Sequence, residues 1–205
     1  MRNSIFMIAF LFNQAVQGQG RKGLEGYYYP ANGAGVSSFS TRLFYQTSGG
    51  WYTECRYNYE EERTAGFSAD KTFSKENVFS YSITPEVGLV LGKLQGFSLG
   101  LNTSLSWKRL SFCSSLLNTS RLEQDAGGNS LFNWSELNIQ ISKHLFAGAT
   151  MQLSSSRCTI VSREPGGQLG VLFKNWAFPI YVFDRPGARP YVVAGACYEW
   201  QNKSR

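Results

Sequence analysis

The chain has 205 residues, is 42% hydrophobic and 15% aromatic, contains 21 glycines, and carries a formal net charge of +6. That length suits one domain, and no Pro/Gly/Ser-rich linker divides it. The charge is spread rather than gathered into a basic stripe with aromatic interleaving, which excludes a nucleic-acid surface. The scattered Cys55, Cys113, Cys158 and Cys197, with no CxxC pair, exclude a zinc centre.

Residues 1–18 read as a secretory signal peptide: Arg2 precedes the apolar run from Ile5 to Phe12, and small or tolerated residues follow at Val16 and Gly18. The run is far too short for a spanning helix, which needs roughly 20 apolar residues. Residues 19–36 form a Gly- and Tyr-rich lead-in, 37–201 a β-barrel, and 202–205 a tail.

From residue 37 the hydrophobic period is two. Phe39, Leu43 and Tyr45 oppose Ser40, Arg42 and Gln46. Across the turn TSGG, Trp51, Thr53, Cys55, Tyr57 and Tyr59 oppose Tyr52, Glu54, Arg56, Asn58 and Glu60. Then Phe67, Ala69 and Phe73 oppose Gly66, Ser68, Asp70 and Thr72, with Lys71 snorkelling from the oily side. In FSYSITPEVGLVLG the residues Phe79, Tyr81, Ile83, Pro85, Val87, Leu89 and Leu91 alternate with Ser80, Ser82, Thr84, Glu86 and Gly88. FSLGLNTSLSW repeats the pattern, with Asn102 on the polar side, and a weaker strand covers 110–117. Beyond a polar loop at 118–129, Leu137, Ile139 and Ile141 oppose Glu136, Asn138 and Gln140. Strands over LFAGATMQLS, a long one over GQLGVLFKNWAFPIYVFD, and a last one from Pro190 to Gln201 complete the chain.

These are about ten strands (eight to twelve), and short connections make them an antiparallel up-and-down meander. Three features turn the oily face toward lipid rather than a soluble core. The strands are about ten to fourteen residues long, whereas soluble strands centre on about five or six and a bilayer needs about 9–11. The opposite face is Gly, Ser, Asn, Thr and Gln with occasional charges, the mixture that fills a narrow lumen. Aromatics gather near strand ends, at Trp51, Tyr52, Phe79, Tyr81, Phe97, Trp107, Trp134, Tyr198 and Trp200. The girdle is assigned to Trp51, Tyr81, Trp107, Tyr198 and Trp200, and the lumen network to Glu54, Arg56, Asn58, Asp70, Glu86, Asn102, Glu136, Asn138 and Gln140. One conflict stands. With an N-terminus in the periplasm, long loops belong after odd strands, yet 118–129 and 155–166 follow even ones in this count. Either an early strand lies within 24–36, or the long loops face inward.

The pattern resembles the small outer-membrane β-barrel proteins of Gram-negative bacteria, of the Bacteroidetes kind, over nearly all of the chain after residue 18. Its most specific piece is PYVVAGACYEW, where Val192, Ala194, Ala196, Tyr198 and Trp200 alternate toward a closing aromatic; the tail QNKSR departs from the family's aromatic terminus. The resemblance implies an outer-membrane location, contact with membrane lipid and lipopolysaccharide, and insertion by the barrel-assembly machinery. It implies no cofactor.

The expected role is non-enzymatic: a structural or surface-interaction barrel, or a narrow pore. Two alternatives remain. Some barrels of this kind are lipid A acyltransferases or deacylases, and here the single histidine, His144, with Ser142 nearby and Glu136 farther up the strand, is the one candidate for such chemistry. A secreted glycan-binding β-sandwich is the other.

Overall fold

The computed structural model describes residues 20–30, 37–58, 63–122, 129–156, 159–187 and 189–200. The expected signal peptide, the tail, Tyr59, Glu60 and Cys158 lie outside them. The described chain is all strand: β1 (Arg21–Tyr29), β2 (Ser38–Gln46), β3 (Trp51–Tyr57), β4 (Thr64–Lys71), β5 (Phe73–Lys75), β6 (Phe79–Gly92), β7 (Gly96–Trp107), β8 (Leu110–Arg121), β9 (Ser130–Gln140), β10 (Leu145–Ser156), β11 (Thr159–Phe173), β12 (Trp176–Phe183) and β13 (Tyr191–Trp200). Each pairs antiparallel with its neighbours, and β1 pairs with β13, so the sheet closes into a barrel. An exported sandwich of two packed sheets is thereby ruled out.

β4 and β5 are one stave. Both pair with β6 in an unbroken register, from Ser68↔Gly88 to Phe73↔Ile83. The ladder lapses between them for a chemical reason. Pro85 has no N–H to donate, and the Asp70 Oδ1 accepts the Val87 N–H at 2.8 Å in place of a backbone carbonyl. Thirteen segments therefore make twelve staves, an even number that places the start of β1 and the end of β13 on one side.

The count of about ten rises for two identifiable reasons. β1 lies inside the stretch 19–36 set apart as a lead-in, and the run expected as one long strand over 167–184 is β11 and β12 joined by a tight turn at 174–175. The expected long loop at 155–166 is also absent, since β10 and β11 stay paired out to Ser156↔Thr159 past a bulge at Ser154 and Ser155. With β1 counted, the connection 122–129 follows the seventh stave, and the conflict over loops disappears.

The two rims differ. At the rim where β1 begins and β13 ends, called here the terminal rim, the connections are the turns 47–50, 76–78, 108–109, 141–144 and 174–175. Lys108 and Lys174 take φ 54 there, the left-handed conformation that two-residue hairpins demand. The strand ends that flank the longer connections, at residues 29 and 38, 121 and 130, and 183 and 191, all lie at the opposite, loop rim. Across the closing seam, Arg21 and Glu199 form a bidentate ion pair, with Nε to Oε1 at 2.8 Å and Nη2 to Oε2 at 3.0 Å.

Burial is inverted relative to a water-soluble protein. Leu43, Phe67, Val87, Leu89, Leu99, Leu137, Ile139, Leu169, Val171 and Ile180 stand on the outer face exposed, while Glu54, Arg56, Asp70 and Glu86 are buried inside. Only an apolar surrounding makes such an arrangement stable. The closed sheet also leaves no unpaired backbone edge, each group of which costs several kcal/mol in lipid. Neighbouring staves approach tightly at Gly88, where a Cβ would lie 2.7 Å from the Phe67 carbonyl oxygen.

Candidate functional site: the lumen

The lumen holds two clusters on opposite walls. On the wall of β1 to β7 a chain of charges crosses the staves. Arg42 pairs with Glu25 at 2.6 Å and approaches Glu54 at 3.6 Å. Arg56 reaches Glu54 at 3.2 Å and Glu86 at 2.6 Å. Asn102 donates to the other oxygen of Glu86 at 3.1 Å, Tyr52 to Glu54 at 2.5 Å, and Tyr27 to Glu25 at 3.1 Å. Asp70 is held by the Ser68 hydroxyl at 2.7 Å and by the Val87 N–H. Strand parity builds this wall, because inward positions two apart on β3 carry Glu54 and Arg56, and the barrel's curvature brings Glu86 to them from β6.

The other wall, from β9 to β13, is aromatic toward the loop rim. Tyr181, Phe183, Tyr191 and Val193 are buried, with Tyr27, Tyr29 and Trp134 packed on them. Trp134 meets Tyr181 and Phe183 edge-on, each at 5.1 Å between ring centroids. Glu164 is buried beneath this cluster, bonded by Tyr191 at 2.5 Å and by Arg185 at 2.6 Å. Arg185 lies in the connection after β12, and that hydrogen bond holds its guanidinium more firmly protonated than usual.

Between the two walls lies a cavity of about 440 Å³, reached by residues from Arg21 and Gln46 near the terminal rim to Tyr29 and Ser38 near the loop rim. Its sides mix hydroxyls and amides, among them Thr84, Asn102, Ser104 and Gln140, with apolar groups such as Phe44, Phe132, Phe146 and Leu172.

All nine residues expected in the lumen network border the lumen. Glu54, Arg56, Asp70 and Glu86 are buried in the charged wall, and Asn102, Glu136, Asn138 and Gln140 line the cavity. Asn58 differs. It sits past the end of β3 with φ 55, its Nδ2 donating to the Phe39 carbonyl at 3.0 Å and its Oδ1 accepting the Arg63 N–H at 2.6 Å. It closes a turn rather than joining the charges.

The five girdle residues Trp51, Tyr81, Trp107, Tyr198 and Trp200 all face outward in the terminal-rim half of the barrel, where Tyr198 packs on Trp176 and on Trp200 at 4.8 Å. Lysines cap the same rim: Lys108 lies 4.7 Å over Trp107, Lys71 5.2 Å over Trp51, and Lys22 5.8 Å over Trp200. Tyr52 and Trp134, grouped by sequence position with these aromatics, instead turn into the lumen.

Cys197 is a buried thiol whose Sγ lies 3.8 Å from the Tyr27 hydroxyl, and Cys55 is a free thiol on the outer face.

His144 stands exposed in the turn at the terminal rim. Its N–H bonds the Ser142 hydroxyl oxygen at 3.2 Å, and its Nδ1 lies 3.2 Å from the Leu172 carbonyl oxygen. Glu136 is in the lumen, held by other partners, so Ser142, His144 and Glu136 are not brought together as a nucleophile, base and orienting acid must be. A His144→Ala variant is expected to leave the lipid A acylation pattern of the host unchanged, as read by mass spectrometry of extracted lipid A.

No protein-family model matches the chain, and no curated protein matches it. Solved structures do. The chain is similar to a KdgM porin in complex with disordered oligogalacturonate, with 14% identity, a TM-score of 0.60, and coverage of 88% of this chain and 99% of that one. It is also similar to a second KdgM porin structure, with 14% identity, a TM-score of 0.58 and the same coverage. A NanC porin gives 14% identity, a TM-score of 0.57, and coverage of 88% of this chain and all, 100%, of the porin. At these identities the likeness is one of fold.

Proposed function

From a fold shared with small porins, we propose that this chain is an outer-membrane β-barrel that passes small polar solutes through a narrow lumen. One observation carries the reading: an apolar exterior surrounds a cavity of about 440 Å³ that extends along the lumen, with charged, hydroxyl and amide side chains among its lining. The turns at the terminal rim lie toward the periplasm, and the longer connections toward the outside. Insertion runs through the barrel-assembly machinery, for which β13 offers Val192, Ala194, Ala196, Tyr198 and Trp200 on its lipid face.

The fold's neighbour holding an oligogalacturonate supports a pore for solutes larger than ions. The aromatic cluster around Phe183 and Tyr191 narrows the loop-rim half and argues for slow, selective passage over a wide channel. The test is conductance. Protein folded into planar bilayers is expected to give small, discrete current steps in potassium chloride. A barrel that inserts, shown by its heat-dependent gel mobility, but gives no current would be a structural or surface-interaction protein instead. Recovery of the chain from the soluble fraction without detergent would remove the membrane location as well.

A further inference from the structure

We infer that Glu136 forms a cation-binding station on the cavity wall, and that the pore prefers cations to anions. This rests on the pore reading above. Glu136 lies near the middle of β9 with its side chain lining the cavity. Its Oε1 accepts the Trp134 indole N–H at 2.7 Å and the Tyr181 hydroxyl at 3.0 Å. Its Oε2 accepts the side-chain amides of Asn138 at 3.1 Å and Gln168 at 3.0 Å. All four donors are neutral, and Glu136 forms no ion pair among the described residues.

The carboxylate is thus saturated in hydrogen bonds but not in charge. A carboxylate offers about four lone-pair sites, and all are engaged. A sugar hydroxyl therefore finds little left to bond, whereas a cation is still drawn by the carboxylate's net charge, which neutral donors do not cancel. The four donors fix the carboxylate's position, so its charge acts on the cavity without rotamer averaging. The same amides bear a second mark: Asn138 Oδ1 and Gln168 Oε1 are buried without a hydrogen-bond partner, and Gln168 is itself only 6% exposed. Their uncompensated oxygen dipoles add negative potential beside the carboxylate. Tyr27 and Trp134, their ring centroids 6.2 Å apart, line the cavity next to it and offer the π-surface that favours a cation.

The rest of the lumen does not cancel this charge. Arg21, Arg42, Arg56 and Arg185 each face a carboxylate already, and Asp70 adds a second negative group with no ion pair among the described residues. Rings of carboxylates are what cation-selective filters use. Lys108 and Arg109 stand near the terminal mouth, so the effect is best read by changing Glu136 itself.

The experiment measures reversal potentials of the full-length barrel in a potassium chloride gradient, for the wild type, Glu136→Gln and Gln168→Lys. The lysine variant keeps the carboxylate and neutralises it in place, so it reports even if the glutamine variant does not fold. The wild type is expected to favour potassium over chloride. Both variants are expected to lower that ratio about fivefold, the effect of one unit charge acting over about 4 Å through water. An anion-selective wild type, or variants indistinguishable from it, would overturn the inference. If no variant conducts, the pore reading fails separately, and calorimetric titration of the micellar barrel with tetramethylammonium chloride decides. Saturable binding lost in both variants supports the station, and absence of saturable binding in the wild type refutes it.

Discussion

Replacing Arg56 by methionine is expected to destabilise the barrel by about 3–5 kcal/mol, the usual cost of removing one partner from a buried ion network. The guanidinium is 2% exposed and holds Glu54 and Glu86 together, both of them buried. Without it two carboxylates face each other inside a closed barrel, with Asp70 close by on β4. Urea unfolding in lipid vesicles, followed by tryptophan fluorescence and gel mobility, measures the loss. Adding Glu86→Gln to the methionine variant removes one of the stranded charges and is expected to recover part of it. A methionine variant within about 1 kcal/mol of wild type would mean that the network contributes little net stability, as some buried ion pairs do.

A second large effect is expected on the opposite face of the same staves. Val87, 62% exposed near the middle of β6, points away from the lumen. Val87→Arg is expected to cost about 2–4 kcal/mol, the penalty for a cation on the lipid face at mid-membrane, and Leu91→Arg near the loop rim only about 0–1 kcal/mol. The same vesicle unfolding reads both. On a face wetted by water, both changes would stay within about 0.5 kcal/mol. The gradient between the two positions, rather than either value alone, is what lipid predicts.

How much of this was legible in the residues depended on what fills each side of a stave. β6 and β7 could be read almost residue by residue, because lipid demands one oily parity and the inward parity there is Ser, Thr, Gly, Asn and Glu. Glu54, Arg56 and Glu86 could be placed inside for the same reason, although nothing in their spacing said that Arg56 would join both carboxylates. The aromatic wall was hidden. In β12 the outward Trp176, Phe178, Ile180 and Val182 alternate with Ala177, Pro179, Tyr181 and Phe183, which are also apolar, so period two vanishes. In β1 three tyrosines in a row erase it again, although Tyr27 and Tyr29 face the lumen and Tyr28 the lipid. Trp134 looked like a girdle residue because it lies near a strand end, yet its parity with Glu136 turns it inward. A filled lumen accepts ring and carboxylate alike, and alternation of polarity reports the outside of such a barrel better than its inside. The Glu136 cage was invisible for a different reason: its donors come from three staves and are 2 to 45 residues away along the chain.

The clasp between Arg21 and Glu199 joins residues 178 positions apart. A seam of that span is made late in folding, since the entropy of closing so long a loop must be met before the contact returns anything. Until β13 finds β1 the nascent sheet keeps two raw edges, each able to pair with another chain. Every other stave can be recruited from its immediate neighbour, but the first strand must wait, unpaired on one side, for the last. The correctness of assembly therefore turns on keeping that first edge from the wrong partner until β13 arrives.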